Sequence, residues 1–415
     1  MWLFVQPNDT LFFRDGRPFD AGADVWTWTI FPPFPSTIYG MLRTFFINMV
    51  STKIDHSNYF ANIPNEYKDL LGDKNKPGEL SILGPFLGKK NNDKASLWIS
   101  SPSDLWKWDD NDRVKYCLLW PDSNRADVSQ YTDLKIPFSP LDFRTHTNDS
   151  EPERSEGTIG GNYLDHYLIG KSINIERIRT EKFWESEYST IIERDDSLLA
   201  TKESRLAFPS YTRLQDCLDF VEKGFLIQVN GLNDYQMDDI GKRLNKPEAA
   251  KLGGECRIAI IEKINIKQLD QEGIVQQITS TGKFRVILTA PAYFLQNAFY
   301  PDFLAQSDGK APEGQWVLDG EEKMVKLISM VMSDRPLRIG GWDLANRKPK
   351  DMIKAVPAGS VYFFEISSFG KDKDNSWLKK LVNSSLPGIL PGGNDDYTKQ
   401  GFNTYLIGGW DCVSS

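Results

Sequence analysis

The chain opens on two short apolar and aromatic runs, residues 2–6 and 11–13, flanking Pro7-Asn8-Asp9. Turn formers between apolar runs predict strand, turn, strand. The clearest helix signal follows Phe31-Pro32-Pro33-Phe34-Pro35. Ile38, Met41, Leu42, Phe45, Phe46 and Met49 recur at the i, i+3, i+4, i+7 spacing of one helix face, and Ser36 stands where an N-cap belongs. Arg43 falls off that stripe, so its guanidinium is expected to be free. From about 52 to 223 the pattern dissolves into Asn, Asp, Ser, Lys and Pro, with acidic clusters such as Asp109-Asp110-Asn111-Asp112, and this stretch reads as loops and insertions. Regularity returns with a strand over 224–229, a loose helix over 234–252 and a strand over 256–261.

Taken with the first strand and helix, these elements give the order β, α, β, β, α, β of a split ferredoxin-like unit. A polar stretch, Asn265 to Gly282, leads to a second series. It comprises a strand over 283–289, helices over 293–305 and 321–332, strands over 337–342 and 360–366, a helix over 374–382 and a last strand over 404–408. No residue-level repeat accompanies this recurrence, so the duplication is one of architecture. The expectation is an α+β protein of two ferredoxin-like domains: residues 1–268, with a large insertion at about 52–223, and residues 283–415, with a glycine-rich loop.

Composition narrows the chemistry. With 415 residues, 12 Trp, 15 Tyr and 24 Phe, the chain has ample material for buried cores, and the disordered class is excluded. Against 57 Asp and Glu stand 49 Lys and Arg, a net charge of −8, so any nucleic-acid site must be a local patch. No apolar stretch approaches the roughly 20 residues that span a bilayer, and no basic leader precedes the first apolar run. Four cysteines form no Cys-x-x-Cys pair and only three histidines are present. A cytoplasmic chain with reduced thiols, no metal, no cofactor and no membrane contact is expected.

Phe13-Arg14-Asp15-Gly16-Arg17-Pro18-Phe19-Asp20-Ala21-Gly22 places two arginines around an Asp-Gly turn just after a strand. A planar guanidinium donates two parallel hydrogen bonds to a phosphate, though a polar hairpin loop with internal Arg-Asp pairs explains the pattern equally well. Gly392-Gly393, Gly401 and Gly408-Gly409 bracket a helix-to-strand return containing Lys399, Asn403 and Thr404. Such glycines let backbone N–H groups approach a polyanion, and they are also ordinary loop residues. Lys171, Arg177, Arg179 and Lys182 alternate with Ile173, Ile175 and Ile178, as in a hairpin with one basic face. Arg347, Lys348, Lys350 and Lys354 form another basic cluster. Catalytic constellations are scarce: His56, His146 and His166 fall in no metalloprotease pattern, and no Gly-x-Ser-x-Gly elbow occurs.

The Phe13–Gly22 segment, followed by Pro35-Ser36-Thr37-Ile38-Tyr39-Gly40-Met41-Leu42-Arg43, resembles the opening of the crRNA 5′-tag-binding RAMP subunit of Cmr-type (type III-B) CRISPR effector complexes. Leu252 to Arg257, Leu288 to Phe294, Gly341-Trp342-Asp343, Lys354 to Phe364 and Gly401 to Trp410 resemble later blocks of that family in the same order. The resemblance implies two RRM-like RAMP domains and a noncatalytic role. Such a subunit holds the 5′ tag of crRNA and joins the large polymerase-like Cmr subunit to the backbone RAMP subunits. A thumb-like hairpin separates tag from guide, and Lys171 to Lys182 is the candidate for it here. The residues placed against RNA on this basis are Arg14, Arg17, Ala21, Gly22, Thr37, Tyr39 and Arg43; Lys171, Arg177 and Arg179; Gly340, Gly341, Trp342 and Lys354; and Gly401 and Asn403. No catalytic residue is expected. The competing readings are a metal-independent RAMP endoribonuclease using His56 or Tyr39, and a protein scaffold with no RNA contact.

Overall fold

The computed structural model describes residues 1–14, 26–51, 53, 60–73, 76–110, 113–121, 141–143, 151–170, 178–195, 197, 200–215, 221–296, 299–305, 310–343, 348–367, 376–384 and 387–410. Its contacts divide the chain into two compact units that do not follow the linear split at residues 268 to 283. Unit 1 gathers Met1–Ala95, Lys182–Ile266 and Ile339–Ile353; unit 2 gathers Ser96–Glu181, Lys267–Arg338 and Lys354–Ser415.

The core of unit 1 is an antiparallel sheet in which Ile258–Lys263, Trp2–Pro7, Glu222–Asn230 and Ser81–Asn91 lie side by side. Phe4 stands opposite Leu226 on one neighbour and Glu262 on the other, and Leu3, Phe4 and Val5 are all fully buried. The helix Pro35–Val50 connects the first of these strands to Ser81–Asn91, and Asp234–Arg243 connects Glu222–Asn230 to Ile258–Lys263. The first helix starts two residues earlier than expected. Phe34 is the N-cap and Pro35 opens the helix with no side-chain cap, because proline's fixed φ and missing N–H suit that position. Asn233 and Gln236 close a capping box on the second helix, each side chain accepting from the other's backbone N–H at 2.9 and 3.1 Å. That helix ends at Arg243, and the remainder of the expected 234–252 helix contains the strand Glu248–Lys251. Pro247 explains the stop, since it disfavours helical backbone at Lys246 and has no N–H to donate.

Among the described residues of 52–223 strand predominates, contrary to the loop reading. This stretch contributes Ser81–Asn91, Lys94–Ser100, Leu105–Asp110, Arg113–Pro121 and, further on, Trp184–Tyr188, Ile191–Asp195 and the 15-residue Ala200–Leu214. Several of these are surface strands, and Trp-Glu-Ser-Glu-Tyr exposes four of its five residues. Polar composition there reflects exposure rather than irregular backbone.

Unit 2 is built on an antiparallel sheet ordered Glu313–Leu318, Glu321–Val331, Val361–Ile366, Lys283–Leu288, Thr404–Gly409 and Gly388–Ile389. Residues 321–332, expected as a helix, are a strand. Asp319 and Gly320 both take positive φ (48° and 78°) in a two-residue turn that pairs Leu318 with Glu321. An Asp-Gly pair is a strong hairpin signal, and it sets the period of the returning strand: Val325, Leu327 and Ser329 alternate inward. No helix lies over 293–305 among the described residues. A helix instead occupies Gln271–Thr281, within the polar stretch read as a spacer; Asp270 caps it by accepting from the Gly273 N–H at 2.9 Å, and Ile274 and Ile278 turn inward. The expected helix at 374–382 forms as Ser376–Ser384, and the final strand as Thr404–Gly409.

Both faces of the central strands of this second sheet are buried. Phe284 packs against Phe364, Trp316 and Trp377, while its neighbour Arg285, directed to the opposite face, is fully buried against Tyr167 and Asp104. The segment Ser96–Glu181 is therefore no appendage of the first domain but packing material for the second sheet. Among the described residues no helix is long and apolar enough to cross a membrane.

Candidate nucleic-acid interface

Two segments that are distant in sequence position Arg14. The strand-like run Leu11–Arg14 is bridged to Thr212 through Leu11 and to Thr29 through Arg14, with the Ile30 N–H donating to the Phe13 carbonyl at 2.9 Å. Gly253-Gly254 presses from the other side: the Gly254 N–H donates to the Phe12 carbonyl at 2.8 Å, and a Cβ on Gly253 would lie 2.8 Å from that same oxygen. Arg14 emerges from this junction exposed to solvent. Arg17, Ala21 and Gly22 lie outside the described residues.

Thr37 sits half-buried in the first turn of Pro35–Val50, and Tyr39 is buried on its inner face. Arg43 corrects the expectation of a free guanidinium. Its Nε donates to the Leu71 carbonyl at 2.8 Å, an Nη donates to the Asp73 carbonyl at 2.9 Å, and the group lies 4.8 Å from the centre of the Phe60 ring. The Leu71 carbonyl ends the helix Asn65–Leu71 and Asp73 follows its C-cap, so the cation meets the negative end of the helix dipole. Burial pulls the Arg43 pKa down, and the site is a structural clamp.

Gly340 and Gly341 interrupt the expected 337–342 strand, which becomes Leu337–Ile339 and Trp342–Asp343. Gly341 has φ 153° and its carbonyl accepts from the Lys350 N–H at 2.9 Å, closing a small ribbon in which Trp342 pairs with Pro349 and Asp343 with Lys348. Lys348 and Lys350 on that ribbon are exposed. These residues belong to unit 1, together with Arg14.

In unit 2, Lys354 is exposed on the strand Ile353–Ala355. Arg179 is exposed and donates to the Ile178 carbonyl at 2.6 Å, while Lys171 and Arg177 lie outside the described residues. The end of that basic stretch is tied down, since Glu181 and Thr158 exchange backbone hydrogen bonds at 2.9 and 3.0 Å. Gly401 is buried with φ 95°. Asn403 is also a correction: it is completely buried, and its side chain serves the loops around it. Its carbonyl accepts from the Tyr293 N–H at 2.8 Å, and its amide donates to the Gly392 carbonyl at 3.0 Å. A Cβ on Gly393 would come 2.8 Å from that amide, so the glycines admit the asparagine as a peg.

The long hairpin Ile191–Asp195/Ala200–Leu214 has no counterpart among the elements expected from the sequence. Ala200–Leu214 also pairs with Trp184–Tyr188 and, in parallel, with Trp26–Thr27. Charges secure its base. Arg213 holds Glu187 at 2.6 Å and Asp9 at 3.1 Å, and Arg257 holds Asp9 at 3.3 Å and Glu255 at 3.1 Å while lying 4.9 Å above the Tyr211 ring. The Thr10 backbone N–H draws the Asp9 pKa down, and the Arg213 hydrogen bond does the same for Glu187. Both arginines are thus spent on carboxylates. Among the described residues no three His, Cys, Asp or Glu side chains are grouped to hold a metal. Cys117 and Cys256 are free thiols, and burial pushes Cys117 up to about 12.

The described residues thus carry exposed cations at Arg14, Arg179, Lys348, Lys350 and Lys354, and a long hairpin on unit 1. The family model of the CRISPR-associated protein Cas_Cmr3 matches residues 3–410, and the chain belongs to that family. Comparison with curated proteins found no match. Among solved structures, the chain is similar to one from the type III-B Cmr-beta complex bound to cognate target RNA, at 17% identity and a TM-score of 0.44, covering 98% of this chain and 96% of that one. A second, from Cmr-beta bound to cognate target RNA and AMPPnP, has 14% identity and a TM-score of 0.41, with 93% of each chain covered. A third, from the apo state of Cmr-beta, has 11% identity and a TM-score of 0.28, covering 63% of this chain and 95% of that one.

Proposed function

We propose that this chain is a subunit of a type III-B Cmr ribonucleoprotein, in which it holds the 5′ tag of crRNA without cleaving it and joins the large polymerase-like subunit to the backbone RAMP subunits. The observation that carries the reading is the family match from residue 3 to 410, which includes every block that suggested tag binding. Strand order supports two ferredoxin-like modules. Numbered along the chain, the four central strands of unit 1 lie in the order 4-1-3-2, all antiparallel. The central strands of unit 2, Glu321–Val331, Val361–Ile366, Lys283–Leu288 and Thr404–Gly409, lie in the order 2-3-1-4, the same arrangement read from the other edge. The helix Gln271–Thr281, which precedes the first of these strands, packs beside Ser376–Ser384. The hairpin Ile191–Leu214, clamped at its base by Arg213 and Arg257, is the better candidate for the thumb-like element than Lys171–Lys182.

RNA contact falls to exposed Arg14 and to backbone N–H groups; Arg43 and Asn403 shape the loops. The endoribonuclease reading loses Tyr39, whose side chain is buried on the inner face of its helix, and His56 lies outside the described residues. Binding of single-stranded repeat RNA should weaken with salt by roughly 0.7 log unit per log unit for each phosphate held. Arg14→Glu should lower both the affinity and that slope, with the fold unchanged by circular dichroism. The same RNA incubated with the full chain in EDTA should remain intact. A salt-independent affinity would favour the protein scaffold, and discrete cleavage would overturn the noncatalytic assignment.

A further inference from the structure

Unit 1 carries an aromatic surface that none of the sites above uses. Trp26, Trp28, Tyr188 and Phe208, with Ser189 and Thr190, line an open cleft of about 460 Å³ on the small sheet formed by Ala200–Leu214 and its partners. The rings are costly to leave in water, yet Trp26, Trp28 and Tyr188 are 53%, 51% and 61% exposed. Their geometry is that of a ladder. Phe208 and Trp26 stack at 4.8 Å and 24°, and Trp26 and Trp28 lie 6.2 Å apart at 15°. Tyr188 meets the edge of Trp28 at 89°. Near-parallel exposed rings present a π-face, the feature every nucleobase can stack on.

Charge points the same way. Along Trp184–Tyr188 the side chains alternate, so Trp184, Ser186 and Tyr188 share one face while Glu185 and Glu187 project from the other. Glu187 is neutralised there by Arg213. The described residues that line the aromatic cleft carry no charge, so a phosphate chain meets no carboxylate among them. Arg14 is bridged to Thr29, the residue after Trp28, which brings an exposed cation to the border of the platform.

We infer that the Trp26–Trp28–Phe208 ladder, with Tyr188, is a stacking platform for unpaired bases of single-stranded RNA, beside the phosphate contact at Arg14. This rests on the RNA-holding reading above and adds base contact to it. The probes are a short oligouridylate and an abasic oligoribonucleotide of equal length, each titrated against the full chain. Trp28→Ala should weaken oligouridylate binding about tenfold, as loss of one stacked base does. The slope of log affinity against log salt should stay unchanged, because no phosphate contact is lost. Trp28→Phe should restore most of the affinity, and the abasic strand should bind wild type and Trp28→Ala equally. If Trp26→Ala and Trp28→Ala both bind oligouridylate like the wild type while Arg14→Glu still weakens it, the platform is overturned and the RNA-holding role stands. If the wild type binds neither strand, both fall.

Discussion

Arg285→Met destabilises unit 2 by about 3–5 kcal/mol in denaturant unfolding, because it strands a carboxylate in the protein interior. Arg285 and Asp104 are both fully buried. One Nη of Arg285 donates to Asp104, the other to the Tyr167 carbonyl, and the guanidinium lies 4.1 Å from the centre of the Tyr167 ring. The Tyr167 hydroxyl donates to the second Asp104 oxygen at 2.7 Å. Burial raises the Asp104 pKa, with Arg285 and Tyr167 pulling against it. Removing Arg285 leaves the upward push unopposed by the cation. A folded pKa above the unfolded one means that the acid form is favoured by folding, so that contribution is present at low pH and lost as pH rises through the folded value. The deficit of Arg285→Met should therefore shrink as pH falls toward the ordinary carboxylate range. Asp104→Leu combined with Arg285→Met should be closer to wild type than Arg285→Met alone, since well-packed apolar groups replace a buried pair at little cost. A pH-independent deficit, or a double variant as unstable as the single, would sink this account.

Asn403→Ala costs about 3 kcal/mol, the second large effect. The substitution orphans the Tyr293 N–H and the Gly392 carbonyl, both half-buried, where a fully buried unsatisfied group costs roughly 1–3 kcal/mol. It also places alanine at φ 61°, a left-handed conformation that asparagine tolerates better. Asn403→Gly relieves the backbone and not the hydrogen bonds, so it should recover only part of the loss. Hydrogen exchange should quicken at Leu390–Gly393 in both variants. Wild-type stability in Asn403→Ala would show that the peg is dispensable.

Asn403 and Arg285 also mark how far the sequence can be read. The place of Asn403 among glycines points to the loop and is silent about direction: a polar side chain between glycines can face a ligand or the protein's own backbone, and only the fold orients it. Arg43 does lie off the apolar stripe of its helix. The stripe cannot report that Leu71, Asp73 and Phe60 return to meet it. Arg285 attracts no notice in the sequence, since one cation in an apolar strand carries no signal until Asp104 arrives from 181 residues away.

Local period and turn chemistry by themselves determined, to within about two residues, the strands Trp2–Pro7, Glu222–Asn230 and Ile258–Lys263, the helix Pro35–Val50 and the closing helix and strand of unit 2. The ordered blocks from Phe13 to Trp410 also determined the family, because they depend on residue identity rather than on packing. Tertiary structure alone decided that 96–181 packs in unit 2, that 339–353 packs in unit 1, and that an exposed row of rings lies on the hairpin sheet. Burial is a property of what arrives from elsewhere in the chain. A surface strand such as Trp184–Tyr188 and an irregular loop have the same polar composition until a neighbouring strand takes up the backbone hydrogen bonds.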